Sequence, residues 1–201
     1  MIVQEREALA SDLDALDESA WATPSLCPDC TVRDVLAHMT ALARMTPPMF
    51  FRKLVTSGFS PSRVEERDIA LEKGDGVQDT LARFRAVTAS RTRLHAVPKK
   101  TLLGETVLHA EDIRRPLGIE HAYPVDALVT IADVYKRSNF VAGTKKRIAG
   151  LSLQATDIGW STGSGPAVSG PMLSLLVAMA GRHSAFEDLH GEGARLLRAR
   201  S

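Results

Sequence analysis

The sequence predicts a mainly α (α+β) protein: a helical bundle over residues 1–143, followed by a small strand-and-helix extension over 144–201. Three observations carry this. Apolar residues recur at helical spacing through most of residues 2–141. From Gly143 onward the pattern changes to short alternating runs divided by Gly, Ser and Asp, in RIAGLSLQATDIGWSTGSGPAVSG. At 201 residues, 44% hydrophobic and 24% charged, the chain is long enough to bury a core and has an ordinary globular composition.

In order along the chain, Ile2, Leu9, Leu13 and Leu16 predict a first amphipathic helix over 2–18. TPSLCPDC is a Pro-rich connector. Thr31 followed by Asp34 is a capping signal for a second helix, whose inner stripe is Val32, Val35, Leu36, Met39, Leu42 and Ala43. Pro47-Pro48 must bend or stop it, because proline lacks the amide proton and clashes with the preceding turn. Residues 58–62 look like a loop. A third helical region runs from Arg63 to Leu94, broken at Gly74-Asp75-Gly76. A fourth runs from Pro98 to Leu117 and stops at Gly118. Residues 125–141 make a fifth. The runs around Ile148, Leu151 and Leu153, and then Ile158 and Trp160, predict two or three short strands. Pro171 opens an apolar helix, MLSLLVAMAG, that ends at Gly181, and a polar, Arg-rich tail follows.

Composition narrows the function. A formal net charge of +1, with no long basic stretch, argues against nucleic acid as a partner. No apolar run approaches the roughly 20 residues of a membrane span. The acidic, amphipathic start MIVQEREALASDLD is unlike a signal peptide. Two cysteines, Cys27 and Cys30, make no disulfide framework, so a reducing cytoplasm is the expected location. A P-loop, a dinucleotide fingerprint and a nucleophile elbow are all missing.

The chemistry lies in LGETVLHAEDIRRPLG. Four residues advance a helix by about 400°, so Glu105 and His109 point the same way, one turn apart. Such a pair can chelate a divalent ion, and bundle cores build metal sites from Glu and His on facing helices. Alone it is a weak signal, since the same spacing is frequent on solvated faces. His38, in TVRDVLAHMTAL, adds a second imidazole among apolar neighbours, where a buried ring needs partners for its nitrogens. A core histidine bonded to a carbonyl is the commoner arrangement. Two inward histidines with one inward carboxylate favour a metal instead, and three protein ligands with an open fourth position is the catalytic zinc arrangement.

SLCPDCTVRDVLAHM and GETVLHAEDIRRPLGI, in that order, resemble segments of the mycothiol-dependent maleylpyruvate isomerase family, within the wider DinB-like metal-binding bundles. LQATDIGWSTGSGPAVSGPMLSLLVAMAGR is similar to that family's end piece, so the resemblance spans nearly the whole chain. It implies a DinB-like four-helix bundle whose divalent metal, commonly zinc, is held by His38, Glu105 and His109. It also implies a thiol cosubstrate, mycothiol in actinobacteria, used to isomerise or transfer onto small electrophiles. One departure stands out: Cys30 occupies the place where the family pattern usually has Trp. A redox pair or an added metal ligand is one reading of Cys27-Pro-Asp-Cys30; a small buried residue in place of a ring is the preferred one.

Other residues carry weaker expectations. Asp34 could orient the His38 ring or simply cap its helix, and Asp112 has the same ambiguity beside His109. Arg114, Arg115 and Arg182 could grip a substrate carboxylate with two prongs, although arginines near helix ends usually answer the dipole. His95, His121, His183 and His190 read as surface residues, and Trp21 and Trp160 as packing. No residue is singled out as the catalytic acid, base or nucleophile. Two function classes remain: a metal- and thiol-dependent isomerase or transferase acting on a small electrophile, and a non-catalytic metal-binding bundle with a structural or sensing role. A homodimer is left open.

Overall fold

The structure is a computed structural model that describes residues 1–90, 98–139 and 143–201. It is mainly helical, with one small sheet near the C-terminal end, and divides into two compact units, Met1–Glu120 and His121–Ser201. None of its helices is long and apolar enough to cross a membrane, among the described residues.

The first unit contains α1 (Ile2–Asp12), α2 (Val32–Arg44), α3 (Pro47–Thr56), α4 (Pro61–Lys73), α5 (Val77–Arg85) and α6 (Lys99–Arg114). The expected first helix tightens after Asp12 into a 3₁₀ turn over Leu13–Ala15 and ends there, short of residue 18. Thr31 and Asp34 form a full capping box at the start of α2, each side chain accepting from the other's backbone N–H. The two prolines do more than stop α2. Thr46 accepts from the Met49 N–H, and Pro47 supplies a first helical position that needs no donor, so a new helix, α3, starts at once. Gly74, at φ +61°, ends α4 where the turn was expected. The α-helical part of α6 stops at Arg114, and the chain turns on to Gly118 at φ +66°. Residues 91–94 of the expected third region lie outside the described residues, as does His95.

α2 packs against α4, α5 and α6, while α1 packs against α5 and α6. Their shared core includes Leu9, Leu13, Trp21, Leu36, Met39, Leu81, Phe84 and Ile113, with Cys27 and Cys30 packed against its edge. Burying a large apolar side chain contributes about 1.5–3 kcal/mol, so this cluster holds the helices in place.

The second unit holds α7 (Val125–Tyr135), the short α8 (Thr144–Arg147), β1 (Ser152–Ala155), β2 (Ser161–Gly163), β3 (Ala167–Gly170), α9 (Met172–Met179) and α10 (Glu192–Arg198). The sheet order is β2-β1-β3, with β1 antiparallel to β2 and parallel to β3. Ile148 ends α8 and does not open a strand. Ile158 to Trp160 turn the chain between β1 and β2, with the Ala155 N–H donating to the Trp160 carbonyl at 2.9 Å. α9 is buried along nearly its whole length, and Asp157 caps it by accepting from the Met172 N–H at 2.9 Å. The compact units meet after Glu120, ahead of the boundary expected at 143, because α7 buries Ala127, Leu128, Ile131, Ala132 and Tyr135 and packs on α9. Residues 140–142, at the end of the expected fifth helix, lie outside the described residues.

Candidate metal centre

α2 and α6 lie side by side in the first unit and bring three of the expected ligands together. The His38 and His109 rings meet edge to face, with centroids 5.0 Å apart. Two imidazoles sharing one tetrahedral zinc at about 2.1 Å would have centroids roughly 5 Å apart. Glu105 Oε2 lies 3.3 Å from His109 Nε2. That nitrogen is buried, yet no hydrogen bond of acceptable geometry satisfies it. A nitrogen and a carboxylate oxygen that approach without aligning are placed as two ligands of one ion are; at tetrahedral zinc such atoms stand about 3.4 Å apart.

A small cavity of about 10 Å³ borders Glu105 and His109, lined also by Arg6, Met39, Leu42, Leu102 and Thr106. It has room for about one water-sized group. The site is reachable, since the His38, His109 and Glu105 side chains keep 20%, 14% and 29% of their surface exposed. Among the described residues, no group of three or more His, Cys, Asp or Glu side chains is arranged to hold a metal as it stands.

The outer nitrogens of both rings face carboxylates. Asp112 Oδ2 is 3.2 Å from His109 Nδ1 and almost fully buried. His38 Nδ1 meets Glu65 Oε1, on α4, at 3.2 Å. Asp34 is engaged elsewhere: it accepts from the Thr31 backbone and pairs with Lys73 Nζ at 2.7 Å. The acceptor sought for His38 in Asp34 is thus Glu65.

Burial and the nearby positive His109 push His38 down to about 4, with Glu105 and Asp112 pulling the other way. For His109, burial also opposes the charge, but the hydrogen bond to Asp112 and the close negative carboxylates of Glu105 and Asp112 outweigh it and push the ring up to about 9. At neutral pH the His109 ring is therefore the cationic one and the His38 ring is neutral. Both cysteines are free thiols. Burial, with help from Asp34, Glu65 and Asp29, raises Cys30 against a lowering contact from Cys27, so it is poorly suited to be a thiolate.

The arginines considered as carboxylate grips lie as follows. Arg114 is fully buried, with its guanidinium on Asp12 at 2.7 and 2.8 Å, and Arg115 donates to Glu111 at 3.0 Å. Arg182, in the second unit, donates to the Ala180 carbonyl. His183 and His190 are exposed and His121 meets Tyr123 edge to face, while Trp21 and Trp160 are buried. Two residues of the site were not anticipated. Glu65 reaches His38 across a helix pair that spacing alone does not disclose. Arg6 was readable, since it falls at helical spacing with Ile2, Leu9 and Leu13 and puts a charge into the apolar stripe of α1.

In this helical unit Glu105 and His109 line one small cavity, and the His38 ring from the adjacent helix lies edge to face against that of His109. The model of the family described as mycothiol maleylpyruvate isomerase N-terminal domain matches residues 2–112, more than half of the chain, and the chain belongs to that family. Its fold is similar to the crystal structure of a mycothiol-dependent maleylpyruvate isomerase, with TM-score 0.56 and 19% identity over 96% of this chain and 94% of that one. A histidine-to-alanine mutant of a mycothiol-dependent maleylpyruvate isomerase gives TM-score 0.52 at 20% identity and the same coverage. No curated protein matches the chain.

Proposed function

We propose that this chain is a divalent-metal-binding, mycothiol-dependent enzyme, an isomerase or thiol S-transferase acting on a small electrophile. The observation that carries this reading is the convergence of His38 from α2 with Glu105 and His109 from α6. Two imidazoles and a carboxylate are a donor set suited to zinc, and the buried His109 Nε2, without a hydrogen-bond partner beside Glu105, fits a role as a metal ligand. Side-chain rotations that turn the nitrogens onto a common point would complete the set.

A divalent ion held there would lower the pKa of an incoming thiol, so that the thiol reacts as thiolate near neutral pH. The residues around it have separate tasks. Asp112 holds the Nδ1 side of His109, which keeps Nε2 facing Glu105 and the cavity. Glu65 holds the Nδ1 side of His38. Cys30, with its raised pKa, is no substitute nucleophile, so the sulfur comes from outside the chain. Addition of the thiolate to an activated double bond forms a C–S bond and leaves a single bond free to rotate. Expulsion of the thiolate restores the double bond in the other geometry, with no net oxidation or reduction. If the adduct is retained and a leaving group departs, the outcome is S-transfer. The free cysteines suit a reducing compartment, here proposed as the cytoplasm.

The test combines elemental analysis with turnover of a maleylpyruvate-like or chloroaromatic electrophile. Rates are measured with and without mycothiol, in metal-loaded and chelator-treated protein. We expect turnover only when both metal and thiol are present, and loss of both metal and turnover in His109→Ala. Equal rates under all four conditions would sink the enzyme reading and leave a non-catalytic metal-binding bundle.

A further inference from the structure

We infer that Arg6 is an anchor for a carboxylate group of the small molecule that binds at this site. Arg6 lies on α1, is only 2% exposed, and lines the small cavity shared with Glu105 and His109. Its one hydrogen bond among the described residues runs from Nη1 to the Ser90 carbonyl at 3.2 Å. Its Nε is buried with no acceptor, and no carboxylate of the described residues pairs with it. Burial lowers its pKa from the ordinary arginine value, yet a guanidinium stays charged under any physiological condition.

A buried charge is costly unless paired, and buried arginines normally have a carboxylate partner. The other buried guanidinium of this unit, Arg114, has Asp12. Arg6 has none, although its position in the apolar stripe of α1 would suit a leucine or methionine. The edge of the guanidinium left open is the one that carries Nε–H with an Nη2–H beside it. Two parallel donors of that kind match the two oxygens of a carboxylate, which a point-charge ammonium does not. A ligand carboxylate seated there, with the side chains lining the roughly 10 Å³ cavity moving apart to admit it, would lie beside Glu105 and His109, next to the place where the thiol is proposed to react. Arg6 is thus a binding and positioning residue, and takes no part in proton or sulfur transfer.

This inference rests on the proposed reading for its orientation relative to the metal, but not for the anion site itself. Maleate serves as the probe, with maleamide as its uncharged counterpart. Binding is measured calorimetrically to zinc-treated wild type, Arg6→Gln and Arg6→Lys. In parallel, the Arg6 Nε–H resonance of the wild type is followed during titration. We expect maleate to bind wild type about 10–100-fold more tightly than Arg6→Gln, with Arg6→Lys in between, and maleamide to show no such dependence. Zinc uptake should be equal in all three proteins, because Arg6 is not a ligand, and the Nε–H signal should shift and saturate with maleate. Equal maleate affinity in wild type and Arg6→Gln would overturn the inference, as would an Nε–H signal that saturating maleate does not move. If Arg6→Gln does not fold, the wild-type resonance decides alone. A wild type that takes up no zinc but shows the Nε–H shift would sink the metal reading and leave the anion site standing.

Discussion

His38 and His109 sit in nearly the same place and titrate in opposite directions, which gives the metal-free protein a definite pH signature. A ring held near 4 in the folded chain, against about 6.5 unfolded, lowers stability as pH falls from 6.5 through 4, because the unfolded chain takes up the proton first. A ring held near 9 contributes fully below about 6.5 and loses that contribution as pH rises through 9. Metal-free protein should therefore be most stable near pH 6.5, falling by something on the order of 2–3 kcal/mol on each side from these two groups. Urea unfolding across pH 4–9 checks this, and His109→Gln should flatten the alkaline limb alone. Zinc must displace the His109 proton, so its apparent affinity should rise about tenfold per pH unit between 6.5 and 8.5. An affinity independent of pH would remove His109 from the ligand set. At this scale helical spacing and resemblance point to His38, Glu105, His109 and Asp112, which the structure brings near one another. Neither points to Glu65, because the α2–α4 pairing that brings it to His38 is a long-range contact with no local signature.

The helices that carry these residues are positioned by their ends. Arg33, in the first turn of α2, donates from Nε to Thr80 Oγ1 at 2.9 Å and from Nη2 to the Lys73 and Gly74 carbonyls at 2.9 and 3.1 Å. One side chain thus satisfies orphan carbonyls at the end of α4 and ties α2, α4 and α5 together. Arg33→Ala should cost about 2 kcal/mol, a fall of about 4–8 °C in thermal midpoint for a chain of this size. Arg52→Ala, on the exposed face of α3, should change it by less than about 0.5 kcal/mol. Comparable losses from the two changes would mean that Arg33 does not hold the α4 end. Element existence was largely legible for this reason: the Thr31–Asp34 box, Gly74 and the start of α6 all carry their own local chemistry. Pro47-Pro48 signals a bend or a stop in α2, but the Thr that precedes Pro47 makes it equally a helix start, which is why α3 has no separate signal in the apolar pattern. The run around Ile148 looked like a strand because an alternating apolar pattern says nothing of the turn of helix that Thr144–Arg147 inserts before it.

Across the whole chain, the division into units separates the proposed chemistry from the sheet. His38, Glu65, Glu105, His109, Asp112 and Arg6 all lie within Met1–Glu120, while β1 to β3 and α9 belong to His121–Ser201. α7 reads as one more bundle helix in its periodicity, and its packing on α9 is what groups it with His121–Ser201. The assignment has a measurable consequence. A ligand that binds only the folded state stabilises it by mass action, about 2.7 kcal/mol when present at a hundred times its dissociation constant. If zinc is held by His38, Glu105 and His109, the local part of that gain must appear where those side chains restrain the backbone, in α2 and α6. Hydrogen exchange read peptide by peptide, with and without zinc, should therefore show the largest slowing at residues 32–44 and 99–114. Peptides of β1 to β3 should change only through global unfolding, and so by a smaller and uniform factor. Glu105→Gln keeps the side chain's size but removes the charge that draws the ion, and should abolish the slowing in both helices together. Slowing confined to the sheet, or slowing that survives Glu105→Gln unchanged, would place the ion elsewhere in the chain.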